Sequence, residues 1–164
     1  MEMDVKRYAG INYNDFSAAP GVSLTFFTQG CPHRCLNCQN PETWDFDKGK
    51  PLEENLINEI LEKLNANGIN RKFCIMGGEP LCKENLWLTW CLISAVKKKY
   101  PNKEIYVWTG YIYENLLKED DLVLQKILNN IDYLIDGPYI DQLRDITLKM
   151  RGSSNQRIIK ICKK

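Results

Sequence analysis

Short apolar runs alternate along the chain with longer stretches whose apolar residues recur every three to four positions. Residues 22–27, 72–76, 104–108 and 131–135 read as buried strands, with a further one over 157–161 and an early one near 5–11. Between them, residues 51–64 place Leu56, Ile57, Ile60, Leu61 and Leu64 on one helical face, and Asn67-Gly68 ends that helix. Residues 84–99 form a second helix, stopped before Pro101, and residues 113–128 a third. Strand alternating with helix predicts an α/β protein with parallel pairing and right-handed crossovers. A closed eightfold barrel needs about 250 residues. The 164 residues here supply five or six units, so the expectation is an open, partial parallel β/α barrel spanning 1–164 as one domain.

Each central apolar run is followed at once by an unusual turn: the cysteine loop after the first, Gly77-Gly78-Glu79-Pro80-Leu81, Thr109-Gly110-Tyr111 and Asp136-Gly137-Pro138-Tyr139. In a parallel α/β sheet all four lie at one end, where such folds place their sites. The first is the most informative. Gly30-Cys31-Pro32-His33-Arg34-Cys35-Leu36-Asn37-Cys38 is a CxxxCxxC loop. Thiolates this close together wrap one face of a metal centre. Three of them satisfy three irons of a cubane and leave the fourth iron open for a small molecule, whereas an electron carrier normally uses four cysteines. A competing reading makes His33 a fourth ligand in a Cys3His zinc site. The downstream glycine turns argue against it, since zinc loops rarely come with them.

Charge and composition narrow the picture without adding to it. The formal net charge is +1, so no overall field argues for nucleic acid or a membrane. Arg144, Lys149, Arg151, Arg157, Lys160, Lys163 and Lys164 make the C-terminal stretch basic, which reads as solvated surface more readily than as a docking patch for an acidic partner. The first residues lack the apolar core of a signal peptide, and no run is long enough to span a bilayer, so a cytosolic protein is expected. The 7 cysteines cannot all pair within one chain, and in a reducing compartment ligation or burial is expected instead.

The cysteine loop and the GGEP turn together resemble the radical S-adenosylmethionine superfamily, and the likeness covers most of the chain. Four further pieces resemble the activating proteins of anaerobic ribonucleotide reductases: Asn40-Pro41-Glu42-Thr43-Trp44, Trp108-Thr109-Gly110-Tyr111, residues 132–137, and Arg151-Gly152-Ser153-Ser154-Asn155-Gln156-Arg157. The resemblance implies a partial barrel of the radical S-adenosylmethionine type. It implies that Cys31, Cys35 and Cys38 ligate one [4Fe-4S] cluster whose open iron chelates S-adenosylmethionine. An electron from a low-potential donor such as flavodoxin or ferredoxin then cleaves the sulfonium. The resulting 5′-deoxyadenosyl radical takes hydrogen from a glycine of the reductase.

The resemblance places Gly77, Gly78 and Glu79 at the methionine amino group and Thr109, Gly110 and Asp136 toward the ribose or methionine end. Asn37 stands before the third cysteine, where the superfamily often has an aromatic residue on adenine, so part of the adenine contact is left to other groups. Each assignment has a plainer counterpart. Taken alone, the Gly77-Gly78-Glu79 turn reads as a plain tight strand-to-helix connection; beside the cysteine loop it reads as a ligand contact. Asp136-Gly137-Pro138 reads as turn chemistry. Phe26, Phe27 and Trp44 read equally as a cluster shield or as core. Arg151 suits a carboxylate, the partner or a helix cap. Cys74 and Cys91 read as small buried residues. Cys82, beside the GGEP turn, reads as a candidate reactive thiol and Cys162 as incidental. A radical enzyme acting on a small molecule and a zinc-stabilised binding module remain the alternative functions.

Overall fold

In the computed structural model, which describes residues 6–163, seven strands form one sheet in the order β3-β1-β2-β4-β5-β6-β7. They are β1 (Arg7–Asp15), β2 (Ser23–Thr28), β3 (Lys50–Pro51), β4 (Lys72–Gly77), β5 (Ile105–Trp108), β6 (Tyr133–Asp136) and β7 (Arg157–Lys160). The helices are α1 (Leu56–Leu64), α2 (Lys83–Lys99), α3 (Tyr113–Leu116) and α4 (Leu122–Asn130). The pairs β2/β4, β4/β5 and β5/β6 are parallel, while β1/β2, β1/β3 and β6/β7 are antiparallel.

This corrects the expected partial parallel β/α barrel of five or six strands: the sheet is mixed and seven-stranded. The reason lies in the connections. Residues 16–22 join β1 to β2 and are too short for a crossover, which takes a dozen residues or more, so β1 must run antiparallel. The link from β6 to β7 contains only the 3-10 turn Asp141–Leu143 and no helix able to pack on the sheet, and β7 returns antiparallel. Two helices also differ from expectation. Pro51 lies in β3 and the first helix starts at Leu56. The helix expected over 113–128 is split, because the Asp121 carboxylate accepts from the N–H groups of Val123 and Leu124 at 2.8 and 3.0 Å and starts a new helix there. The early strand runs Arg7–Asp15, and the expected start at Val5 lies outside the described residues.

Strand alternation sorts the side chains into two faces. Leu24, Phe26, Phe73, Ile75, Ile105, Val107 and Leu134 point to one face. They join Ile60 and Leu64 of α1, Leu92 and Val96 of α2, and Leu124 and Ile127 of α4 in the main core. The order β2-β4-β5-β6 never reverses, so crossovers of one hand deliver every helix to the same face. The other face carries Thr25, Cys74, Tyr106 and Tyr133 in one paired row, with a smaller cluster of Ala18, Ala19, Cys74, Tyr106 and Ile135. The loops that follow the parallel strands fold over that helix-free face.

Asp132 ties this frame together at the start of β6. Its Oδ2 accepts from the Ile105 N–H at 2.9 Å and from Lys97 Nζ at 3.0 Å, and its Oδ1 lies 2.8 Å from Lys163 Nζ. Burial raises the carboxyl, but Lys163, the Ile105 amide and Lys97 outweigh it and hold it below the usual carboxylate range. A lowered folded value means stabilisation present above the unfolded value of about 4 and lost as pH falls through the folded one. Asp132→Asn is therefore expected to cost about 1 kcal/mol at pH 7, discounted for partial exposure, with the gap closing below about pH 4. Urea denaturation of both proteins across that range checks it. Among the described residues, no helix is long and apolar enough to cross a membrane.

Candidate functional site

The cysteine loop leaves the end of β2 already anchored. The Gln29 side-chain amide donates to the carbonyls of Glu42 and Asp45 at 3.1 and 2.7 Å. The Gly30 and Cys31 N–H groups donate to the carbonyls of Thr43 and Trp44 at 2.7 and 3.1 Å. Gly30 has φ +95°, and a Cβ there would fall 2.0 Å from the Phe46 ring, so this root admits only glycine. Farther out, Arg34 and Asn37 both adopt left-handed backbone, at φ 49° and 55°. The Cys38 N–H donates back to the Cys35 carbonyl at 3.1 Å. Backbone thus sets the curl of the loop. Cys31 is buried, and Cys35 and Cys38 are partly exposed. Burial pushes the Cys31 thiol up, which a coordinating metal reverses. The Asn40 N–H points at Cys38 Sγ from 3.4 Å, a contact of the kind that tunes a thiolate ligand.

The second turn grips this loop directly. A Cβ on Gly78 would sit 2.3 Å from the Gly30 carbonyl oxygen, and the Glu79 N–H donates to that same oxygen at 2.9 Å. Glu79 is 0% exposed, and both carboxylate oxygens are occupied. Oε1 accepts from the Leu81 N–H at 2.9 Å and Thr109 Oγ1 at 2.8 Å. Oε2 accepts from the Gly110 N–H at 2.7 Å and meets His33 Nε2 at 2.7 Å. One buried carboxylate thus joins the cysteine loop, the β4 turn and the β5 turn. Gly110 belongs to the same assembly, since a Cβ there would fall 2.6 Å from the His33 ring. That ring is also packed edge-on against Tyr111 at 4.5 Å. Gly110→Ala is expected to displace His33 from Glu79 and cost about 1–3 kcal/mol, which thermal denaturation measures.

Asn85 is the residue that sequence reading missed. It is 5% exposed, and its amide donates to the carbonyls of Gln29, Gly30 and Glu79 at 3.0, 3.2 and 3.0 Å. The available signal was a polar residue in the buried phase of α2, in line with Thr89, Leu92 and Val96.

These turns border a cavity of about 500 Å³ on the helix-free face. Cys31, Cys35, Cys38, Gly77, Gly78, Glu79, Thr109 and Gly110 all line it. Asn37 and Asp136 do not. Asn37 Nδ2 donates outward to Asp141 at 2.8 Å. Asp136 accepts from the Tyr113 N–H at 2.8 Å and pairs with Arg157, which also binds Glu114. The run 151–157 forms a side wall: the Gln156 amide and the Asn155 amide hold the carbonyls of Gly137 and Pro138 at 3.0 and 2.7 Å. Cys82 is buried, and burial pushes its thiol up to about 12, so it packs rather than reacts. Cys74, fully buried, is raised to about 12 for the same reason.

The residues present fit a cubane with a ligand beside it. Among the described residues, no three His, Cys, Asp or Glu side chains are grouped to share a single ion, as a Cys3His zinc site requires, and His33 is engaged by Glu79. A cubane asks for each thiolate on a different iron, which a curled three-cysteine loop supplies. Two cavity-lining residues also hold buried donors without a partner among the described residues, Trp44 Nε1 and Arg151 Nε. Buried donors seldom lack acceptors unless water, an ion or a ligand supplies them.

Comparison with known proteins places the chain in a family. A sequence model of the family described as "4Fe-4S single cluster domain" matches residues 18–159. Proteins named "Anaerobic ribonucleoside-triphosphate reductase-activating protein" are similar over nearly their whole length. That of Escherichia coli (strain K12) is 34% identical over 143 residues, 87% of this chain and 90% of the relative. That of Pasteurella multocida is 37% identical over 145 residues, covering 88% and 90%. That of Enterobacteria phage T4 is 35% identical over 144 residues, covering 88% and 87%. With its three-cysteine loop set over a cavity at the ends of the parallel strands, the chain belongs to the family of anaerobic ribonucleoside-triphosphate reductase-activating proteins.

Proposed function

We propose that this protein is an iron–sulfur enzyme that installs a glycyl radical on an anaerobic ribonucleotide reductase, using S-adenosylmethionine. The observation that carries the reading is the convergence of Cys31, Cys35 and Cys38 on one cavity with the Gly77-Gly78 and Thr109-Gly110 turns, in a chain aligned with the reductase-activating proteins over most of its length. When bound, a [4Fe-4S] cluster and S-adenosylmethionine supply one-electron cleavage to a 5′-deoxyadenosyl radical, which takes a hydrogen atom from the target glycine. The cavity's residues do the rest. Cys31, Cys35 and Cys38 hold the cluster. The Asn40 N–H at Cys38 Sγ stabilises a negatively charged sulfur. Gly77, Gly78 and Thr109 line the cavity beside it, and Trp44 and Arg151 present donors to a bound carboxylate or ribose. Phe27, Met76 and Trp108 line the floor and limit water there.

Glu79, by contrast, has both oxygens engaged within the protein, so its part is to position His33 and the two turns. The electron comes from a low-potential donor such as flavodoxin or ferredoxin. The test is anaerobic: reduced protein, S-adenosylmethionine and the reductase are mixed and read by electron paramagnetic resonance. A glycyl doublet that needs all three components is expected. Turnover of S-adenosylmethionine with no radical on the reductase overturns the assignment of the target.

A further inference from the structure

A second cavity of about 500 Å³ lies at the opposite end of the sheet from the cysteine loop. It is walled by the segments leading into β4 and β5, chiefly Asn65, Asn70, Lys99, Tyr100 and Lys103. No acidic side chain among the described residues lines it. Lys103 is only 5% exposed, and its ammonium is held by neutral groups: Asn65 Oδ1 at 2.6 Å, Asn70 Oδ1 at 2.5 Å and the Tyr100 ring at 5.1 Å. Lys99 Nζ lies 5.5 Å from the same ring. Behind them sits Arg71, also 5% exposed, donating to the carbonyls of Tyr13, Lys63 and Ala66 and to Asn14 Oδ1.

Two cations are thus buried side by side without a carboxylate partner among the described residues. Buried charge is ordinarily paired, because leaving it unpaired costs several kcal/mol. Helix ends offset part of this. The C-termini of α1 and α2 both arrive here and contribute about half a negative charge each. That is roughly one negative charge against two buried cations, with Lys99 adding a third at the rim. The balance stays positive. Burial and the nearby Arg71 hold the Lys103 ammonium below the usual lysine range, the direction expected of an uncompensated cation. Asn65 and Asn70 turn their oxygens toward Lys103, which leaves their NH₂ groups as donors. The wall therefore offers ammonium and amide donors and a net positive field.

We propose that this cavity binds a phosphate-bearing anion, held by Lys99, Lys103 and the amides of Asn65 and Asn70. Several donors spread over a wall suit a tetrahedral dianion, whose four oxygens diverge, better than a flat carboxylate. The source is either inorganic phosphate or the phosphate chain of a nucleotide. Separate titrations of the full chain with inorganic phosphate and with ATP, in low-salt buffer free of other oxyanions, distinguish them by calorimetry. Saturable binding is expected for at least one. Equal affinity identifies phosphate itself, and ATP binding at least tenfold tighter identifies a nucleotide. Lys99→Glu, at an exposed position, is expected to weaken binding at least tenfold without altering the fold, and Lys103→Met to do the same if it folds. No saturable binding by either probe overturns the proposal. So does ATP binding that survives Lys99→Glu and is competed away by S-adenosylmethionine, because that ligand then sits in the cysteine cavity.

Discussion

Cys35→Ala protein, reconstituted anaerobically with iron and sulfide, is expected to stay colourless, with iron falling from about four per chain to near zero. Production of the glycyl radical should vanish with it. The same substitution should barely change the stability of the metal-free fold, by less than about 0.5 kcal/mol. The side chain is partly exposed, belongs to neither apolar cluster, and makes no hydrogen bond through sulfur among the described residues. What shapes the loop there is backbone: the Cys35 carbonyl accepting from the Cys38 N–H at 3.1 Å, with Arg34 and Asn37 in left-handed conformation. Alanine preserves all of it. The two measurements together separate a ligand from a structural residue. Full iron loading in the variant would contradict the ligand assignment, and a large loss of metal-free stability would mean that the cysteine holds the fold instead.

The second large effect is expected at Asn85. Its amide is the only side chain among the described residues that donates to both the cysteine loop and the GGEP turn, through the carbonyls of Gln29, Gly30 and Glu79. Asn85→Ala strips a donor from three buried carbonyls, of which Gly30 keeps the Glu79 N–H and Glu79 keeps the Cys82 N–H, and a loss of about 2–3 kcal/mol is expected. Asn85→Asp is worse. It is nearly isosteric, but it turns a carboxylate toward three carbonyl oxygens in a site only 5% exposed. A cost of roughly 4 kcal/mol or more is expected, or protonation of the aspartate to escape it. For a domain of this size 1 kcal/mol moves the melting temperature by about 2–4 °C, so the variants should melt roughly 4–12 °C and more than 8 °C lower. The order Asp worse than Ala is the diagnostic. A side chain that merely filled space would give the reverse order, because aspartate conserves volume and alanine does not.

Much of the lining of the candidate site was legible in the sequence. The CxxxCxxC spacing and the glycine turns announce themselves locally, since curling a loop around a metal or bringing backbone close needs particular residues at particular offsets. Eight of the ten residues expected there line one cavity. Asn37 and Asp136 were expected there too, and they instead bond outward to Asp141 and sideways to Arg157. Their partners lie 104 and 21 residues away in sequence. Residue type alone does not say which of several reachable partners an amide or a carboxylate takes. Gly77 and Gly78 were expected to let backbone approach a ligand, whereas Gly78 and Gly110 leave room for Gly30 and His33 of the cysteine loop.

The residues by themselves determined the central strands, the long helix after β4, the shared end for four special turns, and the three thiols. Those are set by periodicity and spacing, which act over a few residues. Only the tertiary structure decided that the sheet is mixed, because the direction of β1 and β7 depends on how short or helix-free connections pack and leaves no trace in strand composition. It alone decided that Glu79 is spent on His33, Thr109 and Gly110, and that Asn85 clasps two loops. It alone brought Lys103 and Arg71 together with no carboxylate partner among the described residues. Buried polar groups choose partners by what the packed chain leaves within about 3 Å, and that choice is made in space rather than along the chain.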